Sequence, residues 1–336
     1  MPSTPTVVVT SISPPNAVLR ALSAGSRDAD YHFLVIGDVP SPRNFQLEHC
    51  AFWSLKRQEE TGFRLSQRLP KRHYSRKNLG YLLAIQLGSP YILETDDDNY
   101  PGQGFWKPRS PTKEAPILRA AQWTNVYRYF TDLQVWPRGF PLDAIHRELP
   151  AWSDIPTETV FCPIQQGLAD ENPDVDAIYR LVLPLPISFR GDRQIALGRD
   201  SWCPFNSQNT TWFPEAYPLL YLPSYCSFRM TDIWRSYVAQ RIAWEYAWSV
   251  LFHSPTVRQD RNEHDLMLDF KDEVTGYLEN RRITELLAGT SLSNDKDSIA
   301  GNLFECYRAL VEAQVFPEQE LDLLQAWLYD LKQLAL

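Results

Sequence analysis

Three short apolar runs, separated by helical segments, constrain the fold of this chain more than any other feature. "TVVVTSI" (Thr6 to Ile12) is β-branched, "YHFLVIGDV" (Tyr31 to Val39) is a second run, and "YILET" (Tyr91 to Thr95) a third. Runs of this length bounded by Pro, Gly, Asn or Asp read as buried strands. Between the first two, Asn16 is placed to cap "NAVLRALSAG" and Gly25 to end it. Before the third, Leu79, Leu82, Leu83 and Leu87 recur at helical spacing behind Ser75, a candidate N-cap, with Gly88 as the stop. Strand alternating with helix predicts an α/β fold, a mainly parallel sheet with flanking helices, in which ligands bind outside the carboxyl ends of the strands. Asp38 and the triplet Asp96, Asp97 and Asp98 stand at two of those ends.

The remaining bounds are compositional. A chain of 336 residues with 44% hydrophobic content can bury a full core. A net charge of -8 and a pI near 5.3 argue against a general nucleic-acid binder. Locally the balance reverses: Lys56, Arg57, Arg64, Arg68, Lys71, Arg72, Arg76 and Lys77 are opposed only by Glu59 and Glu60, which suits a ligand carrying phosphates. Five widely spaced cysteines without a C-x-x-C pair indicate neither a disulfide framework nor a zinc site. The first residues lack a basic leader, and no window holds the ~18 apolar residues of a membrane span. A soluble, cytoplasmic protein without a transmembrane segment is expected.

Farther along, sixteen of the 26 prolines fall between Pro101 and Pro223, and the span reads as loops and short strands. Thr231 to Phe252 reads as an aromatic-rich helix capped by Thr231 or Asp232. Beyond Asp269 the chain turns helical and ends in a segment behind Pro317 whose Leu321, Leu324, Leu328 and Leu331 form a packing stripe.

Three adjacent carboxylates repel one another, and a hard divalent cation such as Mn²⁺ or Mg²⁺ resolves the conflict. Such an ion takes one or two carboxylates from the protein and fills its shell with phosphate and water. Asp-x-Asp at a strand end supplies that pair in Asp96 and Asp98.

The chain resembles the STELLO-type glycosyltransferases through "YSRKNLGYLLAI" (Tyr74 to Ile85), "ETDDDN" (Glu94 to Asn99) and "LFHSPTVRQDRNEHDLMLDF" (Leu251 to Phe270). More distantly it is similar to the reversibly glycosylated polypeptides, which are UDP-arabinopyranose mutases. That likeness runs through "RGFP" (Arg138 to Pro141), "QGLADENPDVDA" (Gln166 to Ala177), "TDIW" (Thr231 to Trp234) and "FHS" (Phe252 to Ser254). The resemblance implies a glycosyltransferase-A-like fold over residues 1–270, with residues 271–336 as a helical extension packed on it. It implies a nucleotide-sugar donor, UDP-linked, and a glycan or other small acceptor.

Carried over residue by residue, the resemblance makes Asp96 and Asp98 the metal and diphosphate site, with His253 completing the metal shell. Asp38 is expected near the nucleoside, Arg76, Lys77 and Asn78 near the nucleotide-sugar, and Asp97 facing the sugar or a basic side chain; apart from the resemblance, Asp232 or Asp97 is the candidate base. Arg138 matches the arginine at the mutases' glycosylation site. Asn99 stands where the mutase pattern has Cys, so plain transfer is preferred to mutase or self-glycosylating activity. Two other readings are a catalytically silent scaffold and an aspartyl-nucleophile phosphatase; the second fits poorly, because its Asp-x-Asp ends the first strand. His253 and His264 are eleven residues apart, which matches no zinc motif. Trp136, Trp212 and Trp234 are candidates for stacking on sugar faces.

Overall fold

The computed structural model describes residues 4–260 and 265–334; His264 lies outside them. Its first part contains β1 (Thr6–Thr10), α1 (Ala17–Ala29), β2 (His32–Ile36), β3 (Ala51–Trp53), α2 (Leu55–Glu59), α3 (Lys77–Gln86), β4 (Ile92–Thr95) and β5 (Asn99–Pro101). The proline-rich middle supplies β6 (Thr112–Leu118), β7 (Gln122–Trp123), β8 (Thr157–Phe161), β9 (Ile164–Asp170), α4 (Ala177–Val182), β10 (Gln194–Leu197), β11 (Ser201–Trp202) and β12 (Asn209–Trp212). Then come α5 (Thr231–Glu245), β13 (Val250–Gln259), α6 (Leu266–Gly289), α7 (Ile299–Glu312) and α8 (Gln319–Gln333).

The main sheet runs β3-β2-β1-β4-β12-β9-β13-β10-β6-β8, with β5 attached to β13. Its first four strands are parallel neighbours, as the strand and helix alternation predicts. Beyond β4 the expectation of a mainly parallel sheet fails: β12 is antiparallel to both β4 and β9, and β13 is parallel to β9 but antiparallel to β10. The sheet is mixed. Parallel neighbours need a crossover, usually helical, and between β5 and β12 the prolines leave only the six-residue α4.

Strand alternation divides the core between two faces. Val7, Val9, Phe33 and Val35 pack with Val18, Leu19 and Leu22 of α1, whereas Val8, Leu34 and Ile36 join Leu79, Leu82 and Leu83 of α3. Leu310, Phe316, Leu324 and Trp327 from the C-terminal helical region belong to the same cluster as α3 and α5. Asp330 of α8 reaches back to accept the backbone N–H groups of Arg64 and Leu65, each at 2.9 Å.

Local differences have local causes. Asn16 caps α1 by accepting from the Leu19 N–H, but the helix passes through Gly25 and turns at Asp30, which adopts φ 58°. Gly25 is required by packing, because a Cβ there would lie 2.2 Å from the Trp106 ring. Gly88, with φ 71°, does follow the end of α3. Ser75 is not the cap of α3: a 3₁₀ turn over Tyr74–Arg76 leads into the helix, with His73 Nδ1 accepting the Ser75 N–H. The expected helix over Thr231 to Phe252 stops at Glu245, and the chain turns into β13. Asp232 is not a side-chain cap; α5 follows Met230 without one.

Candidate functional site

A cleft of about 600 Å³ lies at the carboxyl ends of β1, β2 and β4. β1 leads into Ser11 and Ile12, β2 into Asp38, and β4 into Asp96, Asp97 and Asp98, so the parallel part of the sheet delivers the acids predicted at its strand ends. Later segments supply the rest of the lining: Arg138, Asp174, Ser207, Phe228, Asp232 and Gln259.

The three aspartates have separate environments. Asp96 Oδ1 takes the Lys77 ammonium at 3.0 Å and the Tyr74 hydroxyl at 2.7 Å, and its side chain keeps 28% exposure. Asp97 accepts from the Ser11 hydroxyl. Burial raises its pKa, Ser11 opposes the rise, and the neighbouring charge of Asp96 adds to it. Asp98 Oδ2 accepts from Gln259 Nε2 at 2.9 Å, at the far end of β13.

Across the cleft lies an arginine held between two carboxylates. Arg138 donates Nε and Nη2 to Asp174, each at 2.8 Å, and Nη1 and Nη2 to Asp232, each at 3.1 Å; Nη1 also meets the Arg229 carbonyl. Burial works against its charge, but Asp174 and Asp232 outweigh burial and hold its pKa well above the ordinary arginine value. Asp232 also accepts from the Ser207 N–H and hydroxyl, both at 3.1 Å. Burial disfavours its charge too, yet Arg138 brings its pKa down to about 2. A carboxylate so weakly basic is poorly matched to proton abstraction near neutral pH. Asp97 is shifted the other way.

Arg76 lines the cleft although it is largely buried. Its Nε donates to Gln58 at 2.8 Å and Nη1 to the Leu69 and Pro70 carbonyls, while Nη2 has no hydrogen-bond partner among the described residues. Asp38 fixes loops by accepting the His73 N–H at 2.9 Å and the Val39 N–H at 2.6 Å.

Lys77, Asn78 and His253 do not line the cleft. The Lys77 side chain has 0% exposure, and its ammonium is spent on Asp96, Tyr74 and the Thr95 and Ser207 carbonyls. Its charge acts beneath Asp96, out of reach of a diphosphate above. Asn78 exchanges two 2.8 Å hydrogen bonds with the Leu222 backbone. His253 pairs in register with Gln194 and Gly167 in the middle of the sheet. Its Nδ1 meets the Ser254 carbonyl, and burial first, then the Arg109 charge, push its pKa down to about 3. The strand that carries it does reach the triplet, but through Gln259.

The donor set bears on a metal. Among the described residues no group of three His, Cys, Asp or Glu side chains is arranged to hold one. The cation expected at Asp96 and Asp98 thus has no all-protein cage among these residues.

Two proteins of Arabidopsis thaliana resemble the chain along most of its length. It is 31% identical over 325 residues to "Probable glycosyltransferase STELLO1" and 30% identical over 325 residues to "Probable glycosyltransferase STELLO2", with 90% of this chain and 41% of each relative covered. The family model described as STELLO glycosyltransferases matches residues 229–336. The chain belongs to the STELLO glycosyltransferase family. It spans about two-fifths of the length of these curated relatives. The solved structure titled "Crystal Structure of a Mycobacterial Protein" aligns with a TM-score of 0.40 and 10% identity over 83% of this chain and 75% of that one, a likeness too low to bear on the fold. Among the described residues no helix is long and apolar enough to cross a membrane.

The family's matched segment begins at Arg229 and takes in Asp232, so this STELLO-family cleft is built jointly by that segment and the strand-end acids before it. Sequence reasoning missed Ser11, Tyr74, Asp174, Ser207 and Gln259. Tyr74 had a signal, since it opens the quoted run "YSRKN". Ser207, which meets the Tyr74 hydroxyl at 2.6 Å across 133 positions of sequence, had none. Trp136, Trp212 and Trp234 are buried at 3%, 0% and 2% exposure and cannot stack on a ligand.

Proposed function

We propose that this STELLO-family chain is a glycosyltransferase that binds a nucleotide-diphosphate sugar, UDP-linked, in the strand-end cleft and passes the sugar to a glycan or other small acceptor. The observation that carries the reading is the convergence of Asp38, Arg76, Asp96, Asp97 and Asp98 on one cleft at the carboxyl ends of parallel strands, where α/β sheets bind their ligands. The parallel part of the sheet is consistent with a glycosyltransferase-A-like fold.

In this reading Asp96 and Asp98 hold Mn²⁺ or Mg²⁺, which when bound neutralises charge on the departing diphosphate. Lys77 tempers the charge of Asp96 from below and keeps the carboxylate in place. Arg76, with a spare donor, faces the anionic ligand. Asp97, its pKa raised by burial, takes the acceptor's proton. Asp232 and Asp174 hold Arg138 fixed in the cleft wall, where its charge is spent on the two carboxylates.

Calorimetric titration of UDP, GDP, CDP and dTDP with Mn²⁺ or with EDTA tests the reading. UDP is expected to bind only with the metal, and Asp96→Asn/Asp98→Asn to abolish that binding. Folded protein that binds no nucleotide would return the aspartates to a structural role and favour a silent scaffold.

A further inference from the structure

The turn from Ser224 to Met230 is fastened to the C-terminal helices at both ends. At its start, the buried Glu320 carboxylate of α8 accepts the N–H groups of Ser224 at 3.0 Å and Tyr225 at 2.8 Å, and Ser224 Oγ donates to Ser75 Oγ at 2.7 Å. At its end, the Ser227 hydroxyl donates to the Asp272 carbonyl of α6, and Arg229 donates to buried Glu273 at 2.9 and 2.8 Å. Gly276 of α6 leaves space for Met230, whose Sδ would lie 2.2 Å from a Cβ placed there. Two buried carboxylates, Glu320 and Glu273, thus hold the turn, with the Ser75 hydroxyl and the part-buried Asp272 carbonyl beside them.

Between these fastenings Phe228 is left 56% exposed, on the cleft lining. Its one ring neighbour among the described residues is Tyr74, met edge-on at 5.8 Å between centroids, and the Tyr74 hydroxyl donates to Asp96. Leaving a phenyl ring in water forgoes its burial, and a mount that fixes the exposure keeps the face open to a ligand. Around the ring the cleft is polar, through Asp174, Ser207, Arg138 and Asp232. An apolar, electron-rich ring face set among hydrogen-bonding groups matches a pyranose, which presents C–H groups on one face and hydroxyls on its edge. Through Tyr74 the ring adjoins the aspartates where transfer would occur.

We propose that Phe228 is the stacking platform for a sugar ring of the acceptor, and that α6 and α8 are its mount. The inference rests on the glycosyltransferase reading above. Saturation-transfer NMR on the full chain with Mn²⁺ and UDP, using cellobiose, maltose, lactose and gentiobiose as probes, separates the two. The wild-type protein should bind at least one disaccharide. Phe228→Ala should weaken that binding about tenfold, and Phe228→Trp should retain it. UDP binding should stay within about twofold in both variants, and since the ring is exposed both should fold with unchanged thermal midpoints.

Equal disaccharide binding by Phe228→Ala would overturn the platform. So would loss of UDP binding in that variant, which would assign the ring to the nucleotide, or UDP-binding protein that takes none of the disaccharides. Failure of the wild-type chain to bind UDP would instead sink the donor reading, and the platform with it.

Discussion

Nζ of Lys77 lies 3.0 Å from Oδ1 of Asp96, with the lysine side chain shut off from solvent and the carboxylate partly open to the cleft. The pair joins the core to the site. Lys77→Met would leave the Thr95 and Ser207 carbonyls without this donor and Asp96 with only the Tyr74 hydroxyl of the two donors described, and removing one partner of such a pair costs about 3 kcal/mol. Asp96→Asn keeps an acceptor for the ammonium but leaves its buried charge without a carboxylate, and should also cost about 3 kcal/mol. Urea unfolding of the two variants checks both losses. A Lys77→Met loss below about 1 kcal/mol would mean that Asp96 does not depend on the buried charge.

Asp232 gives a test at acid pH. Its folded pKa, about 2, lies below the ~3.9 of a free aspartate, so on acidification the unfolded chain takes up the proton first. The stabilisation it brings is fully present above about pH 4 and is lost as pH falls toward 2. Asp232→Asn should therefore be less stable than wild type by about 2 kcal/mol at neutral pH, with a gap that is constant from pH 5 to 8 and closes below pH 4. Urea unfolding across that range measures it. A gap that changes between pH 5 and 8 would reveal a carboxyl titrating there, as a general base does.

The acids of the site were legible wherever local pattern and position coincide. Asp38 and Asp96 to Asp98 each follow an apolar run, and a parallel strand ends at the ligand side of its sheet, so residue type and place could be read together. Lys77 shows what such reading leaves out. As one cation in a basic stretch it looked like a phosphate ligand, and only the packing of α3 against β1 and β2 brings its ammonium to the end of β4 and Asp96. Ser207 carries no local signal and Asp174 only its place in the run "QGLADENPDVDA", because long-range pairing brings them to the cleft. The direction of β12 and β13 was likewise invisible, since no crossover helix announces it. His253 and Gln259 share a strand, and register alone decides which of them meets the triplet.

Arg138 is expected to remain unmodified. Nε, Nη1 and Nη2 all donate, to Asp174, Asp232 and the Arg229 carbonyl, and a guanidinium so paired keeps its proton and has no lone pair with which to attack a sugar. Intact mass after incubation with UDP-glucose and Mn²⁺ should equal that of the untreated chain. A hexose adduct that maps to Arg138 would reverse this and favour self-glycosylation. Arg138→Ala, which leaves two buried carboxylates uncompensated, should lose about 3–5 kcal/mol of stability.

His253 separates a structural histidine from a metal ligand. Its folded pKa, pushed down to about 3, lies below the ~6.5 of a free histidine; between those values the unfolded chain binds a proton that the folded chain refuses. Stability at this residue is full above about pH 6.5 and falls on acidification, by up to about 1.4 kcal/mol per pH unit. His253→Gln cannot titrate, so wild type should lose stability relative to it between pH 7 and pH 5 in urea unfolding. Metal-dependent UDP binding should be the same in both, because the residue lies in mid-sheet, off the cleft. A tenfold or greater loss of Mn²⁺-dependent binding in His253→Gln, at unchanged stability, would restore His253 to the metal shell and require β13 to shift its register when the donor binds.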